Sequence, residues 1–448
     1  MVKLKVAILG GGPSAFYCAS RILSKLPHTT SLGKNAEVHI YDRIWAPHGL
    51  VRFGVAPDHP EVKNCTHKFD TTAQDPRFKF LGNVNVGSVG SFDHTIQVPM
   101  SSLRRHYTHV VLAYGASIPF ILPALGNSAI PALSIVHWYT GHPSNPIPPR
   151  LESINHMTLM GHGNVSLDIA RLLLSSPERL ASLDIPQPVL ASMTSSKLEH
   201  VSIVSRRGPA QVAFTAKELR ELLNLPGTSM IPIAPELLAT PPGATRQQTR
   251  ILDLLRKGSA AKPGTTKRTW SLGFFRSPVK PVDAGIEVGI NELDSNEKAV
   301  PTGKTETFHT DLVVNSVGYR SEPIEPEWFD GSLGRIRQSG SRVIGIGQGV
   351  VPRTYASGWA ANGAKGVLAT TMMDAYSVAE KLLEDSLSTT TGSIDFRPGI
   401  PDEIVQSGRR VVTYEDWKRI DDEEIRRGLA MGKERERMTW TEVDNFLA

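Results

Sequence analysis

Cysteine is scarce in this chain, with only Cys18 and Cys65 among 448 residues. Two cysteines this far apart cannot form a disulfide framework or a Cys-x-x-Cys redox pair. They are also too few to ligate an iron–sulfur cluster within this chain. The sequence therefore excludes disulfide reduction through a cysteine pair and electron transfer through a cluster of its own.

Long uninterrupted apolar runs are also missing. The longest apolar zone, residues 110–136, contains three prolines and an asparagine, which favours strands and loops over a membrane-spanning helix. The first strand is predicted to begin at about Lys3, so we expect no signal or transit peptide in this chain. The protein is then expected either to be cytosolic or to have a leader peptide that is missing from this sequence.

The chain also lacks a strong charge of one sign. Its formal net charge is +5 at pH 7 and its pI is near 9.1. This mild and diffuse positive charge suits an acidic partner but does not indicate nucleic-acid binding. A chain of 448 residues is too long for one typical core, so two or three domains are expected.

The most informative stretch is residues 4–17, LKVAILGGGPSAFY. Alternating apolar residues predict a buried parallel strand, which turns into a helix at about Pro13–Lys25. Gly10 permits the tight turn, Gly12 lets a pyrophosphate approach the backbone, and Ala15 lets the helix pack on the strand. The anion would lie on free N–H groups at the positive end of the helix. This context favours dinucleotide binding over a purely structural strand–turn–helix.

An acidic residue follows the second predicted strand, Glu37–Tyr41. Asp42 could accept hydrogen bonds from both ribose hydroxyls of an adenosine. It lies further from the glycines than the usual ~20 residues, and a polar loop over residues 28–34 absorbs the difference. The alternative is a turn-forming aspartate, but the position at the strand end favours the ribose role.

The chain then repeats this organisation. A short strand at His156–Met160 precedes a second glycine turn, GHGNVS at residues 161–166, and an apolar-periodic helix at residues 166–174. One fold that binds one dinucleotide needs one such turn, so two turns imply two dinucleotides.

The next predicted strand, residues 200–205, ends in Arg206 and Arg207 rather than in an acid. Guanidinium groups bind a 2′-phosphate bidentately, whereas a carboxylate would repel it. The first site therefore prefers a free ribose, as in FAD or NAD, and the second prefers NADP. The alternative for this arginine pair is an exposed basic surface.

A short amphipathic helix is predicted at Arg246–Lys257, with Arg246, Arg250 and Lys257 on one face. The opposite face carries three apolar residues, Ile251, Leu254 and Leu255. Such a charged face is usually only solvated, but it is also a candidate docking patch for an acidic protein.

Two further segments combine structure with a candidate role. A helix is predicted at residues 216–224, with Thr215 and Glu218 as its capping box. A glycine turn that ends at Gly366 is predicted to lead into a helix at residues 366–383. The amide groups of its first turn would point at any group bound at the start of the helix. Trp359 could stack on a flat ring, although packing is the commoner role for such a residue.

Other segments carry structural predictions only. Residues 78–86 predict a pair of strands, and residues 386–393 predict a polar linker. Residues 414–428 and 434–446 predict polar helices of mixed charge that are mostly solvated.

Two segments are especially distinctive: GLVRFGVAPDHPEVKN at residues 49–64 and RRGPAQVAFTAKELREL at residues 206–222. The other distinctive segments are GNVSLDIARLLL (163–174), FFRSP (274–278), VPTG (300–303), SVGYRS (316–321) and YASGW with GVLATTM (355–372). Together they resemble the adrenodoxin reductase family of NADPH–ferredoxin reductases, including its fungal mitochondrial members. They span nearly the whole chain in the order found in the family.

The resemblance implies that one FAD and one NADPH are bound. FAD would contact Gly10, Gly12, Ala15, Asp42, Leu50, Val86, Trp359, Gly366, Val367 and Leu368. NADPH would contact His162, Gly163, Asn164, Val165, Arg206, Arg207, Glu218 and Gly366, with Glu218 beside the 2′-phosphate ribose. His59 and Asp168 match positions near the flavin that the family associates with proton handling, and they are the candidate catalytic residues. Arg246 and Arg250 fall where family members present arginines to an acidic ferredoxin.

Three positions depart from the family pattern. Asp42 stands where glutamate is usual, His162 where glutamine is usual and Ser166 where alanine is usual. The backbone amide at His162 is unchanged, but a histidine replaces the glutamine side chain that makes a contact there in the family.

The expected fold is α/β, with two Rossmann-like dinucleotide-binding domains and the NADP domain inserted into the FAD domain. The FAD domain would comprise residues 1–115 and 321–448, including the C-terminal helices, and the NADP domain residues 116–320. NADPH would pass a hydride to FAD, and single electrons would go to an acidic, adrenodoxin-like [2Fe–2S] ferredoxin. That ferredoxin would serve cytochromes P450 or iron–sulfur and haem biosynthesis.

By the same resemblance the protein is expected to be mitochondrial, on the matrix side of the inner membrane, and to bind no metal. We expect a monomer that associates peripherally with a membrane. One alternative is a flavin monooxygenase or other NADPH-dependent flavoprotein oxidoreductase, which the basic helix and the lack of a substrate-domain insert disfavour. A second alternative is a non-catalytic, FAD-stabilised scaffold, which has no need of a 2′-phosphate site.

Overall fold

The computed structural model describes residues 4–87, 92, 94–144, 146–347, 349–388 and 397–448. The strands in chain order are β1 (Lys5–Leu9), β2 (Glu37–Tyr41), β3 (Phe78–Leu81), β4 (Val84–Val86), β5 (Ile96–Val98), β6 (His109–Leu112), β7 (Ile118–Pro119), β8 (Ala129–Pro131), β9 (His156–Met160), β10 (His200–Val204), β11 (Thr228–Met230), β12 (Arg268–Gly273), β13 (Arg276–Val282), β14 (Gly285–Leu293), β15 (Ala299–His309), β16 (Leu312–Asn315), β17 (Tyr319–Arg320), β18 (Phe329–Asp330), β19 (Arg335–Ile336), β20 (Gln338–Ser339), β21 (Arg342–Ile344) and β22 (Val350–Ala356). The α-helices are α1 (Pro13–Lys25), α2 (Ser31–Lys34), α3 (Leu50–Phe53), α4 (Thr66–Ala73), α5 (Met100–His106), α6 (Ala132–Tyr139), α7 (Asn164–Leu174), α8 (Pro177–Leu180), α9 (Gln187–Thr194), α10 (Ala216–Leu223), α11 (Arg246–Lys257), α12 (Trp359–Asn362), α13 (Leu368–Ser388), α14 (Asp402–Gln406), α15 (Tyr414–Ala430) and α16 (Trp440–Leu447).

The first sheet has seven strands in the order β20–β21–β22–β6–β1–β2–β3. The strands from β22 to β3 are parallel, and β20, β21 and β22 pair antiparallel at one edge. Alternate residues of β1 point to opposite faces of the sheet and pack in two hydrophobic cores. Val6 and Ile8 pack with α1 and α13 on one face, and Ala7 and Leu9 pack with Leu103 of α5 on the other. The apolar strand predicted from the sequence is therefore buried on both faces.

The second sheet has six strands, all parallel, in the order β11–β12–β10–β9–β16–β8. Its strands lie in the chain between β6 and β20. The predicted strand His156–Met160 is confirmed as β9. The following helix begins at Asn164, two residues earlier than predicted, because Gly163 is its N-cap and accepts a hydrogen bond from the N–H of Ser166.

The two chain segments that connect the sheets lie side by side. β7 follows β6 of the first sheet and β17 follows β16 of the second, and they pair antiparallel as Tyr319 with Pro119 and Arg320 with Ile118. We call the seven-stranded sheet with its helices the first unit, and the six-stranded sheet with its helices the second unit. A separate antiparallel sheet, β13–β14–β15, packs against the second unit through Ile286 and Val288. The sequence did not predict it, because most side chains of β15 are exposed and carry no apolar alternation.

Several boundary predictions need correction. The two strands in residues 78–86 do not pair with each other, since β3 joins the first sheet and β4 pairs with β5. α13 begins at Leu368 and continues to Ser388, so the predicted linker is helical in its first three residues, and residues 389–393 lie outside the described chain. Lys3 also lies outside it. Within the described residues, no helix has the length and apolar character needed to cross a bilayer.

The C-terminal segments are solvated over most of their length, as predicted, but each also buries several side chains that the sequence did not identify. α15 buries Trp417, Ile420 and Glu424, and only Trp440–Leu447 of the second segment is helical. Glu424 can be buried because both of its carboxylate oxygens lie 2.8 Å from a guanidinium nitrogen of Arg52, 372 residues earlier in the chain. A local charge pattern cannot reveal such a distant partner.

Arg437 joins three parts of the chain. Its Nε and Nη2 donate to the two carboxylate oxygens of Asp184 at 2.7 and 2.6 Å, and Nη2 also donates to the carbonyl oxygen of Arg52 at 3.0 Å. Its Nη1 donates to the carbonyl oxygen of Thr140. This buried side chain therefore ties the C-terminal segment to both the first and the second unit.

Candidate cofactor-binding site

The first glycine turn joins β1 to α1. Gly10 has a φ of +98°, and a Cβ there would lie 2.5 Å from the Cα of Tyr114, so glycine is required. Gly12 caps α1, and a Cβ on Gly49 would lie 2.9 Å from the Cα of Gly12. Ala15 is fully buried where α1 packs on the sheet. The turn thus has the tight packing and open backbone that a pyrophosphate site needs.

Asp42 follows β2 and lies against this turn. Its Oδ2 accepts a hydrogen bond from the N–H of Gly11, and its Oδ1 accepts one from the N–H of Ile44 at 2.9 Å. The second bond forms a local turn, as the alternative interpretation expected. A carboxylate offers about four acceptor sites, so these two bonds leave room for ribose hydroxyls. Burial raises the pKa of Asp42, against hydrogen bonds from the backbone that lower it.

A cavity of about 830 Å³ opens beside the first glycine turn. Six predicted cofactor residues line it: Gly10, Asp42, Leu50, Val86, Val165 and Trp359. Because Val165 belongs to the second glycine turn, the cavity lies where the two units meet. Its volume is within the ~300–1,000 Å³ that is typical of small-molecule and cofactor sites.

An ion pair on the cavity wall was not predicted. Arg43 donates from Nη1 and Nη2 to the two carboxylate oxygens of Glu322 at 2.9 and 2.7 Å. Ser117 donates to the same carboxylate at 2.6 Å, and the hydroxyl of Tyr114 donates to the Glu322 carbonyl oxygen at 2.9 Å. Since Arg43 and Glu322 are 279 residues apart, no local pattern could have indicated this pair.

Trp359 is held in a defined orientation at the cavity. It begins α12, and its indole N–H donates to the carbonyl oxygen of Lys365 at 3.1 Å. Asp374 of α13 accepts hydrogen bonds from the Ser357 hydroxyl and the Gly358 N–H at 2.9 and 2.6 Å. Asp374 therefore fixes the loop that precedes Trp359. It was not among the residues predicted from the sequence.

Gly366, Val367 and Leu368 form the start of α13. Gly366 has a φ of +86°, and the N–H of Val367 donates to the hydroxyl of Thr370 at 3.1 Å. Gly366 and Val367 are exposed and Leu368 is half-buried. Among the described residues, the lining of the 830 Å³ cavity does not include these three.

The second glycine turn joins β9 to α7. Gly161 has a φ of +137°, and a Cβ there would lie 2.2 Å from the carbonyl oxygen of Ser316, so the turn requires glycine. A Cβ on Gly163 would meet open space, which leaves the helix start accessible. Ser166 donates from its hydroxyl to the Gly161 carbonyl oxygen, and it is small enough to be fully buried there. Asn164 accepts from the N–H of Thr215 at 2.8 Å and so positions α10.

The side chain of His162 faces inward. Its Nε2–H donates to the carbonyl oxygen of Ile203 at 2.8 Å, and its Nδ1 lies 3.0 Å from the hydroxyl of Ser205. Burial lowers the pKa of His162 to about 4, so the ring is neutral at pH 7. The side chain therefore holds the end of β10, and the backbone of His162 is the part that a nucleotide could reach.

Arg206 and Arg207 follow β10 and are exposed. Their backbone is fixed, since the carbonyl oxygen of Arg206 accepts from Asn291 at 3.3 Å and that of Arg207 accepts from the N–H of Phe275 at 3.2 Å. Neither guanidinium has an acidic partner within 4 Å in the part of the chain that the structure describes. Both side chains are thus available to an anion.

Arg171 of α7 organises a charged cluster between the two units. Its Nε and Nη2 donate to the carboxylate of Asp58 at 2.7 and 2.9 Å. Its Nη1 lies 2.9 Å from Asp168 and 3.2 Å from Glu218. Thr215 caps α10 by accepting from the Glu218 N–H, but the Glu218 carboxylate lies on Arg171, so only half of the predicted capping box forms. Sequence reasoning missed Arg171, although its spacing of three from Asp168 on one helix is a usable signal.

His59 and Asp168 lie in this cluster. The Nε2 of His59 is 2.6 Å from Glu221 and 4.0 Å from Glu218. Burial raises the pKa of Asp168 to about 7, against the attraction of Arg171. His59, Glu218 and Glu221 could geometrically hold a metal ion, but the guanidinium of Arg171 already lies within 3.4 Å of both glutamates, and its positive charge opposes a cation there. The cluster is thus better suited to ion pairing and to holding a proton than to metal binding.

The predicted amphipathic helix is confirmed as α11. Ile251, Leu252 and Leu255 are buried, and Leu254 is half-buried. Arg246 and Arg250 are exposed at the start of the helix. The helix therefore presents these two arginines to solvent.

Comparison with known proteins extends these findings. No protein-family model matches the chain. The chain is 39% identical over 463 residues to the mitochondrial NADPH:adrenodoxin oxidoreductase of Mus musculus, covering 97% of this chain and 89% of the relative. It is 34% identical over 451 residues to the probable mitochondrial NADPH:adrenodoxin oxidoreductase of Schizosaccharomyces pombe, covering 95% and 91%. The solved structure of Mycobacterium tuberculosis FprA in complex with NADPH is 32% identical, with a TM-score of 0.87 over 99% of both chains.

Proposed function

This chain belongs to the NADPH:adrenodoxin oxidoreductase family, and we propose that it transfers electrons from NADPH to an adrenodoxin-type ferredoxin. It is an NADPH-dependent flavoprotein oxidoreductase. The observation that carries this conclusion is the contrast between its two glycine turns. The first turn lies against the carboxylate of Asp42, whereas the second is followed by two guanidinium groups, at Arg206 and Arg207, that have no acidic partner among the described residues.

The residues of the first unit fit FAD. The glycine turn leaves its backbone open at Gly12, Asp42 retains acceptor sites, and a cavity of about 830 Å³ adjoins both. When bound, FAD accepts a hydride from NADPH and releases electrons singly to a one-electron carrier. Trp359, fixed by its bond to Lys365, would orient and cover the flavin and exclude water from it.

The residues of the second unit fit NADPH. The backbone from His162 to Val165 would hold the pyrophosphate at the start of α7, and Arg206 and Arg207 would bind the 2′-phosphate. Gly366, at the start of α13, would contact the nicotinamide side of NADPH. We propose that Glu218 acts less directly, because its carboxylate is bound to Arg171.

We propose that His59 and Asp168 handle protons where the two units meet. With its pKa raised to about 7, Asp168 can hold a proton at neutral pH. Hydride transfer itself needs no protein base, so these groups would adjust protonation around the cofactors rather than start the reaction. Arg171 positions them through its bonds to Asp58 and Asp168.

The domain division follows from the same assignment. We propose a FAD domain of residues 1–115 and 321–448 and an inserted NADP domain of residues 116–320. In support, β22 pairs with β6 in one sheet, while the strands of the second sheet lie in the chain between them.

The curated relatives are mitochondrial enzymes, and mitochondrial localisation of this chain is supported by that resemblance. We further propose a monomer on the matrix side of the inner membrane, associated with it peripherally. Its partner would be an acidic [2Fe–2S] ferredoxin that docks on Arg246 and Arg250.

Replacing Asp42 with alanine is expected to weaken FAD binding by about 10- to 100-fold, because hydrogen bonds to a charged group contribute about 1.5–3 kcal/mol each. The measurement is the flavin-to-protein ratio after purification, followed by titration of the apoprotein with FAD. Asp283→Ala, which removes an exposed carboxylate, is the matched control. Full flavin occupancy in Asp42→Ala would refute the ribose role.

Arg250→Glu is expected to slow ferredoxin reduction by about tenfold and to flatten its dependence on salt, since charge complementarity mainly raises the association rate. Reduction of ferricyanide by the same variant should stay normal. Arg179→Glu, a reversal at an exposed position on α8, serves as control. If ferricyanide reduction falls equally, Arg250 supports the fold or the flavin site rather than docking.

A further inference from the structure

The C-terminal helix α16 reaches the cofactor cavity through its first residue. Trp440 lines the 830 Å³ cavity. The helix is firmly placed, because Thr439 and Glu442 form a capping box and Val443 and Leu447 are buried in a cluster with Trp45 and Phe53. The indole at the cavity wall is therefore presented by a rigid element.

Trp440 lies at the end of the cavity that carries Asp42. Its ring stacks on that of His94, with centroids 4.6 Å apart and an interplanar angle of 24°. Two residues earlier, the ring of Phe92 lies 4.7 Å from the guanidinium carbon of Arg43, which directly follows Asp42. Ile44 packs on the same hydrophobic cluster as Trp440. Two separate sets of contacts thus connect the indole, indirectly, to the residues that follow Asp42, and all of these residues line the same cavity.

We propose that Trp440 forms the aromatic wall against which the adenine of FAD lies, so that the C-terminal helix is part of the FAD site. The inference rests on the proposed function, because Asp42 marks the adenosine end only if FAD occupies this cavity. An adenine ring is flat and has apolar faces, and nucleic-acid bases bind proteins by stacking on aromatic side chains, whichever base it is. Because Trp440 is 398 residues from Asp42, a chain shortened at its C-terminus would lose this wall while keeping every predicted glycine-turn residue.

The test is titration of flavin-free protein with FAD and, separately, with FMN, which has the flavin but no adenine. Flavin and tryptophan fluorescence report binding. Trp440→Ala should raise the FAD dissociation constant about 10- to 100-fold and leave FMN binding unchanged, whereas Trp440→Phe should lose only a small part of the affinity. Phe446→Ala, on the same helix but outside the cavity lining, is the matched control and should behave as the parent.

Three outcomes would overturn the proposal, and they differ in meaning. If Trp440→Ala binds FAD like the parent, the indole is not the adenine wall, while the proposed function stands. If the variant loses FAD and FMN affinity equally, Trp440 supports the fold rather than the adenine. If the parent protein binds no FAD, the proposed function fails together with this inference.

Discussion

Replacing both Arg206 and Arg207 with alanine is expected to lower kcat/KM for NADPH by roughly 100- to 1,000-fold and to leave NADH nearly unaffected. Each guanidinium is exposed, follows the end of β10 and has no acidic partner among the described residues. Hydrogen bonds to charged groups contribute about 1.5–3 kcal/mol each, and exposed groups fall at the lower end, so one lost bond from each arginine costs about 3–4 kcal/mol. About 1.4 kcal/mol corresponds to a factor of ten. The loss should appear mainly in KM, because the 2′-phosphate is bound equally in the ground state and the transition state.

The measurement is steady-state reduction of ferricyanide with each nucleotide. Arg179→Ala combined with Lys197→Ala removes two exposed positive charges elsewhere in the second unit and controls for net charge. That pair should leave both nucleotides unchanged. Equal losses with NADPH and NADH in the Arg206 and Arg207 variant would rule out a 2′-phosphate site there.

Arg437→Met is expected to lower the free energy of unfolding by about 3–5 kcal/mol, the usual effect of removing one partner of a buried ion pair. The substitution keeps much of the side-chain volume but leaves the carbonyl oxygens of Thr140 and Arg52 without this donor. Asp184, only 3% exposed, would retain Lys63 at 2.9 Å but lose its bidentate partner. Urea unfolding followed by tryptophan fluorescence measures the change.

Arg419→Met is the matched control, because Arg419 is exposed on α15 and lies 3.8 Å from Asp416. It should cost less than about 0.5 kcal/mol, as is typical for surface substitutions. Equal losses in the two variants would contradict the role of Arg437 in joining the three chain segments.

The effect of Arg437 should also depend on pH. Burial by itself would raise the pKa of Asp184, but attraction by Arg437 and Lys63 lowers it far below its ordinary value. A carboxyl whose pKa is lower in the folded chain than in the unfolded chain stabilises the fold fully at a pH above the unfolded-chain pKa, which is about 4 for aspartate. This stabilisation declines as the pH falls below that value. The difference between the parent and Arg437→Met should therefore shrink below about pH 4.

The sequence predicted most accurately those parts of the fold that local rules determine. The bounds of β1, α1 and β2 were within two residues of those observed, because a buried strand, a glycine turn and an amphipathic helix each carry a short-range pattern. The two glycine turns were likewise recognisable, since Gly10 and Gly161 occupy conformations that other residues rarely adopt.

Features that depend on distant partners were not predictable. From the neighbouring residues, Glu424 is expected to be one more surface charge on a polar helix. It is buried instead, because its carboxylate pairs with Arg52. Arg43 and Glu322, which form an ion pair on the cavity wall, are 279 residues apart in the sequence. The inward orientation of His162 depends on Ser205 and on the carbonyl oxygen of Ile203, which only the folded sheet brings together.

The most direct test of the central claim is anaerobic stopped-flow absorbance of the purified protein mixed first with NADPH and then with a [2Fe–2S] ferredoxin. We expect rapid bleaching of the flavin band with NADPH, followed by recovery of the band only when the ferredoxin is added. Bleaching with no electron transfer to the ferredoxin would keep the two nucleotide sites but contradict the proposed electron path, and would favour an oxidoreductase that uses oxygen or a small substrate.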